Sequence, residues 1–348
     1  MPSAPIAVAL LSAALFGAAT PASKWLLAEL TPLQLAGLLY LGAAAGVTPA
    51  LFAARSLPLP RGRRGLRLLL GAIGFGGILG PVLLLLGLSL ASAASVALWL
   101  NLELAATAVL GAWLFHDRLG AFGWIGAGAA VLAGLLLTVG EGAAGLAAGG
   151  LVAAACLCWA LDNHWTARLD ALPPSATTFW KGIVAGTTNL TLGFALGPFE
   201  AGGGAIGMAL GTGALSYGLS ITLYVIAAQA IGATRAQVLF ASAPLFGVGL
   251  AALWLGEPVT LVQALAAAVL ALSVALVLRD RHAHTHAHAA LAHVHWHRHD
   301  DDHHRHAHET GEGRSAGAHS HWHVHEPIRH AHPHWPDLHH RHRHGEDA

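Results

Sequence analysis

Ten stretches of about twenty mostly apolar residues follow one another between residues 5 and 278, and no other property of the chain constrains its fold as tightly. The hydrocarbon core of a bilayer is about 30 Å thick, and an α-helix crosses it in about 20 residues. The stretches lie near 5–27, 33–54, 66–89, 93–115, 119–139, 146–167, 175–196, 206–229, 236–255 and 259–278. In hydrocarbon a segment must satisfy its own backbone groups, so each stretch reads as a transmembrane helix. Charge agrees: 10% of residues are charged, against about 25% in a soluble domain. The charges present are concentrated, too. Residues 281–348 hold 23 of the 25 histidines, 7 of the 18 Lys and Arg and 9 of the 18 Asp and Glu. The expected fold is an all-α polytopic membrane protein followed by a hydrophilic tail.

No Lys or Arg precedes the apolar run that starts at Ile6, whereas a signal peptide has a positive n-region. Residues 5–27 therefore read as the first span, loosened at Pro21. Cys156 and Cys158 stand two residues apart on one helix and point to different faces, so they read as packing residues rather than a disulfide. Small residues recur four apart, as in Gly42/Gly46, Gly193/Gly197 and Gly207/Gly211, a spacing that lets helix backbones approach in lipid.

Against this background the polar residues inside the spans stand out. A charge at the bilayer centre costs roughly 3 kcal/mol on the insertion scale, so each needs a partner or a polar cavity. The stretch Leu151–Arg168 carries Asp162, Asn163 and His164 in a row. At helical spacing Trp159, Asp162 and Asn163 share one face, with Thr166 a turn beyond. Asp162 lies about six residues before the end of its span, and Lys181 about six residues into the next. At 1.5 Å per residue both are about 9 Å deep, so antiparallel neighbours pair them. Glu103 sits in the middle of the fourth span, with Trp99 and Thr107 a turn to either side. A carboxylate beside an indole suits a cationic or amine-bearing solute, or a proton relay. The candidate substrate or coupling residues are Glu103, Trp99, Asp162, Asn163, His164 and Lys181. Asn101, Asn163 and Asn189 also read as helix–helix hydrogen-bonding groups. Trp25, Trp124, Trp165, Trp180 and Trp254 fall near span ends, where interfacial tryptophans sit.

Orientation follows from one loop. Arg55, Arg61, Arg63, Arg64 and Arg67 lie between the second and third spans. The positive-inside rule puts that loop, and with it both termini, in the cytoplasm of a bacterial-type inner membrane. The opposite loops carry Glu29, Glu141, Glu200 and Glu257.

The chain also repeats itself. Residues 89–139 realign on 229–279, so that Leu114-Phe115-His116-Asp117 falls on Trp254-Leu255-Gly256-Glu257. Leu15-Phe16-Gly17 likewise falls on Cys158-Trp159-Ala160. Five spans per half is an odd number, so the second half is inserted upside down. Inverted repeats place a substrate site near the midplane between the halves.

With these features the chain resembles the EamA-type branch of the drug/metabolite transporter superfamily over residues 4–280. The resemblance rests on the repeat, on Leu30-Thr31-Pro32 entering the second span, and on Gly256-Glu257 ending the ninth. It rests also on Leu161-Asp162-Asn163-His164-Trp165-Thr166-Ala167-Arg168 followed by Lys181-Gly182. His164 stands where similar sequences carry a second Asn, and His116-Asp117 replaces Gly-Glu in the first repeat. The resemblance implies two five-helix repeats, 1–140 and 141–280, and secondary transport of small solutes, often export.

The tail, residues 281–348, has another character. It carries His282, His284, His286 and His288, then His293, His295, His297 and His299, then His303, His304, His306 and His308. After a gap come His319, His321, His323 and His325, then His330, His332 and His334, and last His339, His340, His342 and His344. With few large apolar residues it is expected to be disordered. Neutral imidazoles at H-x-H spacing suit Zn, Ni or Co, so the tail is the expected metal-binding segment.

Three functions follow in order. The first is a secondary transporter of a small organic solute, with a metal-binding tail that regulates or buffers. The second is a divalent-metal transporter, and the third a membrane-anchored metal store or sensor. An enzyme is the least expected class, for the chain shows no phosphate-binding Gly loop, no nucleophile with its base, and no H-E-x-x-H. No cofactor is required for transport. The expected partners are lipid, solute and divalent metal, not nucleic acid, and a homodimer is compatible with all of these.

Overall fold

The computed structural model describes residues 3–60, 62–114, 121–169, 172–231 and 239–279, and four tail segments, 282–288, 291–297, 319–325 and 328–334. His116, Asp117, Arg118 and Arg235 lie outside these residues. So do the tail histidines His299, His303, His304, His306, His308, His339, His340, His342 and His344.

Among the described residues seven helices are long and apolar enough to cross a membrane. The first joins α1 (Ser3–Gly17) and α2 (Ala19–Leu26). Their joint at Ala18 lies three residues before Pro21, whose missing N–H leaves the Gly17 carbonyl without its helical donor. The second is α3 (Pro32–Ala54), and the third runs from Gly62 to Leu90. That helix is α4 (Gly62–Gly71), a π-helical segment π1 (Ala72–Leu79) and α5 (Gly80–Leu90). The fourth is broken into α6 (Ala93–Trp99) and α7 (Leu102–Leu114). Then follow α8 (Ala121–Gly140), α9 (Gly145–Thr166) and a helix that begins with α11 (Gly203–Thr212). The last passes through a second π-helical segment, π2 (Gly213–Leu219), into α12 (Ser220–Ile231). Two shorter apolar helices are α13 (Ala243–Leu255) and α14 (Leu261–Arg279). Between α9 and α11, α10 (Pro174–Leu196) has 23 residues but carries Lys181, Asn189 and several threonines.

Sequence sets the helix starts. Thr31 and Gln34 form a reciprocal capping box on α3, with backbone-to-side-chain distances of 3.1 and 3.4 Å. Thr260 and Gln263 do the same for α14, at 2.9 and 3.2 Å. Each box satisfies two N–H groups that a helix start otherwise orphans.

The helices pack α3 between α10 and the α11–π2 helix. Gly42 makes this possible: a Cβ there would lie 2.2 Å from the Leu210 carbonyl oxygen. Gly46 meets Ala214 in the same way, at 2.6 Å. The Gly207/Gly211 step differs, since nothing lies within 4 Å of either position, so it is not a packing seam of the described chain.

The two halves match at an offset of about 140 residues, and they match in their irregularities. π1 corresponds to π2. The break at Leu100–Asn101 corresponds to the turn at Ala241–Ser242 that precedes α13.

The four described segments of the tail are extended strands, where disorder was expected. β1 (His282–His288) pairs antiparallel with β4 (Ile328–His334), and β2 (Leu291–His297) with β3 (His319–His325). Alternation of His with residues such as Thr285, Val294, Trp296, Trp322 and Val324 has the period of two that an extended strand requires.

Candidate functional site

A cavity of about 440 Å³ lies between the halves and takes its lining from both. Its polar wall is built around Gly76 in π1. The Gly76 carbonyl accepts hydrogen bonds from the Tyr40 hydroxyl at 2.6 Å and from Trp159 Nε1 at 2.9 Å. The next carbonyl, Gly77, accepts from Asn189 Nδ2 at 3.2 Å. Gly76 has no side chain because Asp162 occupies that place: a Cβ would lie 2.0 Å from Asp162 Oδ2. Asp162 forms an ion pair with Lys181 and accepts from the Thr166 hydroxyl at 2.9 Å. Both side chains of the pair are largely withdrawn from solvent, at 6% and 17% exposure.

Glu103 lies in the first turn of α7, just past the helix break. A half-helix N-terminus favours a carboxylate there. Its Oε1 accepts from Asn163 Nδ2 at 2.8 Å, and Asn163 also reaches the Thr107 hydroxyl at 3.4 Å. His164 Nε2 lies 3.0 Å from the Thr107 carbonyl oxygen. Glu103, Asp162, Asn163 and Lys181 all line the cavity.

Trp99 does not join them. The break at Leu100–Asn101 removes the helical register that would put it on the face of Glu103. Trp99 is instead fully buried, with Nε1 donating to the Gly134 carbonyl at 2.9 Å. The aromatic wall comes from elsewhere. Tyr40 stacks on Tyr217 at 6.1 Å, Tyr217 meets Phe16 at 5.9 Å, Phe16 meets Phe240 at 5.2 Å, and Phe240 meets Tyr224 at 5.1 Å. All five rings line the cavity. The chain has three tyrosines, and all three are in this arc. Sequence reasoning missed them. The signal was there, for each tyrosine falls inside a span rather than at its ends.

Close in the chain to the lining residues Ser23 and Ala97 lies a dense polar cluster that contains Lys24 and Ser95. Glu257 accepts from the backbone N–H groups of Ala93 and Ala94, at 2.9 and 3.0 Å. Glu141 accepts from the Ser92 N–H at 3.3 Å and from its hydroxyl. Gln263 Nε2 donates to the Ser92 and Ser95 hydroxyls, at 3.2 and 3.0 Å. Lys24 donates to the carbonyls of Leu88 and Ala91, at 2.7 and 2.8 Å. Ser92 opens a buried run, since Ala93, Ala94, Ser95, Val96 and Leu98 are each no more than 1% exposed. Gly256, in the left-handed conformation at φ 68°, turns the chain so that Glu257 reaches α6.

Among residues whose side chains are described, no three of His, Cys, Asp and Glu converge as a metal site. In the tail the backbone register alone is described. It sets His282 opposite His334, His284 opposite His332 and His286 opposite His330. It sets His293 opposite His323, His295 opposite His321 and His297 opposite His319.

Comparison with known proteins agrees with this architecture. A solved crystal structure superimposes with a TM-score of 0.58 at 17% identity, covering 80% of this chain and 98% of that one, a likeness of fold. An uncharacterized transporter of Methanothermobacter thermautotrophicus is 30% identical over 208 residues, 56% of this chain. The match spans 59% of that relative's length. The family model described as EamA-like transporter family matches twice, over residues 3–139 and 147–279. Matched in both repeats across its helical region, the chain is a multi-pass membrane protein and belongs to the EamA-like transporter family.

Proposed function

We propose that the chain is a secondary transporter that moves a small organic solute by alternating access, with ten spans arranged as two inverted five-helix repeats. The observation that carries this reading is the cavity between the repeats, lined from both. Interrupted helices, one in the fourth span of each repeat here, are the usual builders of such sites. By the positive-inside rule the five-arginine loop favours the outer face for the Ser92 cluster, and loading from the cytoplasm is what an exporter needs. Purified full-length protein in vesicles should show counterflow: labelled solute accumulates against excess unlabelled solute inside. Absence of counterflow across a broad panel of metabolites, with folded protein in the vesicles, would end the proposal.

The tail is proposed to bind Zn, Ni or Co, as a regulator or buffer rather than as the path of a cargo. Histidines set opposite one another in the backbone register of each strand pair are nitrogen donors of the type suited to these ions. The helical region offers no comparable group among the described side chains, which favours an organic solute over a metal as cargo.

A further inference from the structure

We infer that the cavity selects organic monocations, with an ammonium or similar charge against Glu103 and an apolar body against the aromatic arc. The inference rests on the transport reading and names the substrate class of the same site.

Charge balance is the first argument. Among the described lining residues the charged side chains are Glu103, Asp162 and Lys181. Asp162 and Lys181 neutralise each other in their ion pair. Glu103 has a neutral amide, Asn163, as its hydrogen-bond partner, so the cavity carries one unbalanced carboxylate. A carboxylate in surroundings of low polarity is stabilised most by a cation brought to it. An anionic solute meets the same carboxylate as a repulsion.

The wall is the second argument. Five rings follow one another from Tyr40 to Tyr224 at centroid distances of 5.1 to 6.1 Å. Ring faces carry negative potential and attract cations within about 6 Å, most of all cations that shed water easily, such as alkylammonium groups. A bare divalent metal asks for several hard or nitrogen ligands, and one carboxylate among aromatic rings does not supply them. The volume of about 440 Å³ sets the size: a small amine or quaternary ammonium with one ring or a short chain.

The test uses full-length protein and four probes of similar size and different charge. They are trimethyl(2-phenylethyl)ammonium, 3-phenylpropanoate, 2-phenylethanol and the zwitterion phenylalanine. Equilibrium binding of the labelled probes to purified protein should rank the cation first. Glu103→Gln should weaken the cation by about tenfold or more, the loss expected for a charge-assisted contact, and leave 2-phenylethanol within about twofold. Tyr217→Leu should weaken the cation by a few-fold, the size of one cation–π contact. If Glu103→Gln loses its thermal unfolding transition, Glu103→Asp carries the test, because it keeps the charge and should keep the ranking. Tighter binding of the anion, the alcohol or the zwitterion overturns the inference and leaves the transport reading standing. Silence of all four probes also overturns it. The transport reading itself falls only if the metabolite-panel counterflow is silent as well.

Discussion

The fourth span of the first repeat and its counterpart in the second make an instructive pair. Both are interrupted at the same register, Leu100–Asn101 in one and Ala241–Ser242 in the other. Past the break the first continues with Glu103 in its opening turn, and the second opens on Ala243-Pro244. The π-helical segments contrast in the same way. π1 offers the carbonyl of Gly76 to Tyr40 and Trp159, whereas π2 offers the ring of Tyr217. Backbone irregularity has been kept in both copies while side-chain chemistry has diverged. The consequence is a site with a twofold scaffold and a one-sided charge: acid from the first repeat, ion pair and amide from the second.

That comparison breaks most visibly at the Asp162–Lys181 pair, which only the second repeat has. Removing either partner should destabilise the protein by about 3–5 kcal/mol, because it strands a buried charge. Removing both should cost less than the sum, and additive losses in a double-mutant cycle of unfolding would show that the pair does not act as a unit.

Next in size is Gly76→Ala. The added Cβ overlaps Asp162 and should cost about 1–3 kcal/mol, read as a lowered melting temperature. Tyr217→Ala in the matched segment should weaken solute binding more than it lowers stability, since the ring lines the cavity. Equal effects at the two positions would mean that the π segments have not diverged in role.

In the cluster around Ser92, Glu257→Gln should cost about 1–2 kcal/mol, the difference between charged and neutral acceptors on the Ala93 and Ala94 amides. It should also raise labelling of a cysteine placed at Ser95 by an impermeant reagent added outside. Unchanged labelling would remove this cluster from the gating machinery.

The smallest effect on transport is expected from the segment with no counterpart in either repeat. A chain ending at Asp280 should move solute at the wild-type rate and lose its Zn, Ni and Co binding. In the full chain, metal binding should fall as pH drops through about 6.5, because a protonated imidazole has no lone pair to donate. Saturable metal flux that survives truncation would favour a metal cargo.

Much of the helical region was legible in the sequence, because apolar length is a direct image of bilayer thickness. The Asp162–Lys181 contact was legible too, since depth can be counted along two unbroken helices. Trp99 was misplaced for the converse reason. Counting four residues back from Glu103 assumes a continuous helix, and the chain is broken at Leu100–Asn101. The π segments left no signal, since Ala72–Leu79 and Gly213–Leu219 read as ordinary apolar helix. The tyrosine arc was visible only as scarcity: three residues, all away from the interfaces where tyrosine usually sits. Strand pairing in the tail was hidden by a composition dominated by histidine, although the alternation was plain.

The wide turns in π1 and π2 bear on how such chains can change over generations. A π turn closes i→i+5 where an α turn closes i→i+4, so it takes up one extra residue within a single turn. A single-codon deletion between Gly213 and Leu219 would therefore let the span return to ordinary winding with the helix beyond it in nearly the same rotation, and Tyr224 on α12 would keep its contact with Phe240. What changes is local, the turn that carries Tyr217 into the cavity. Insertions and deletions in these two windows can thus reshape the site wall while the rest of each helix stays in place, and they are where new substrate ranges should arise.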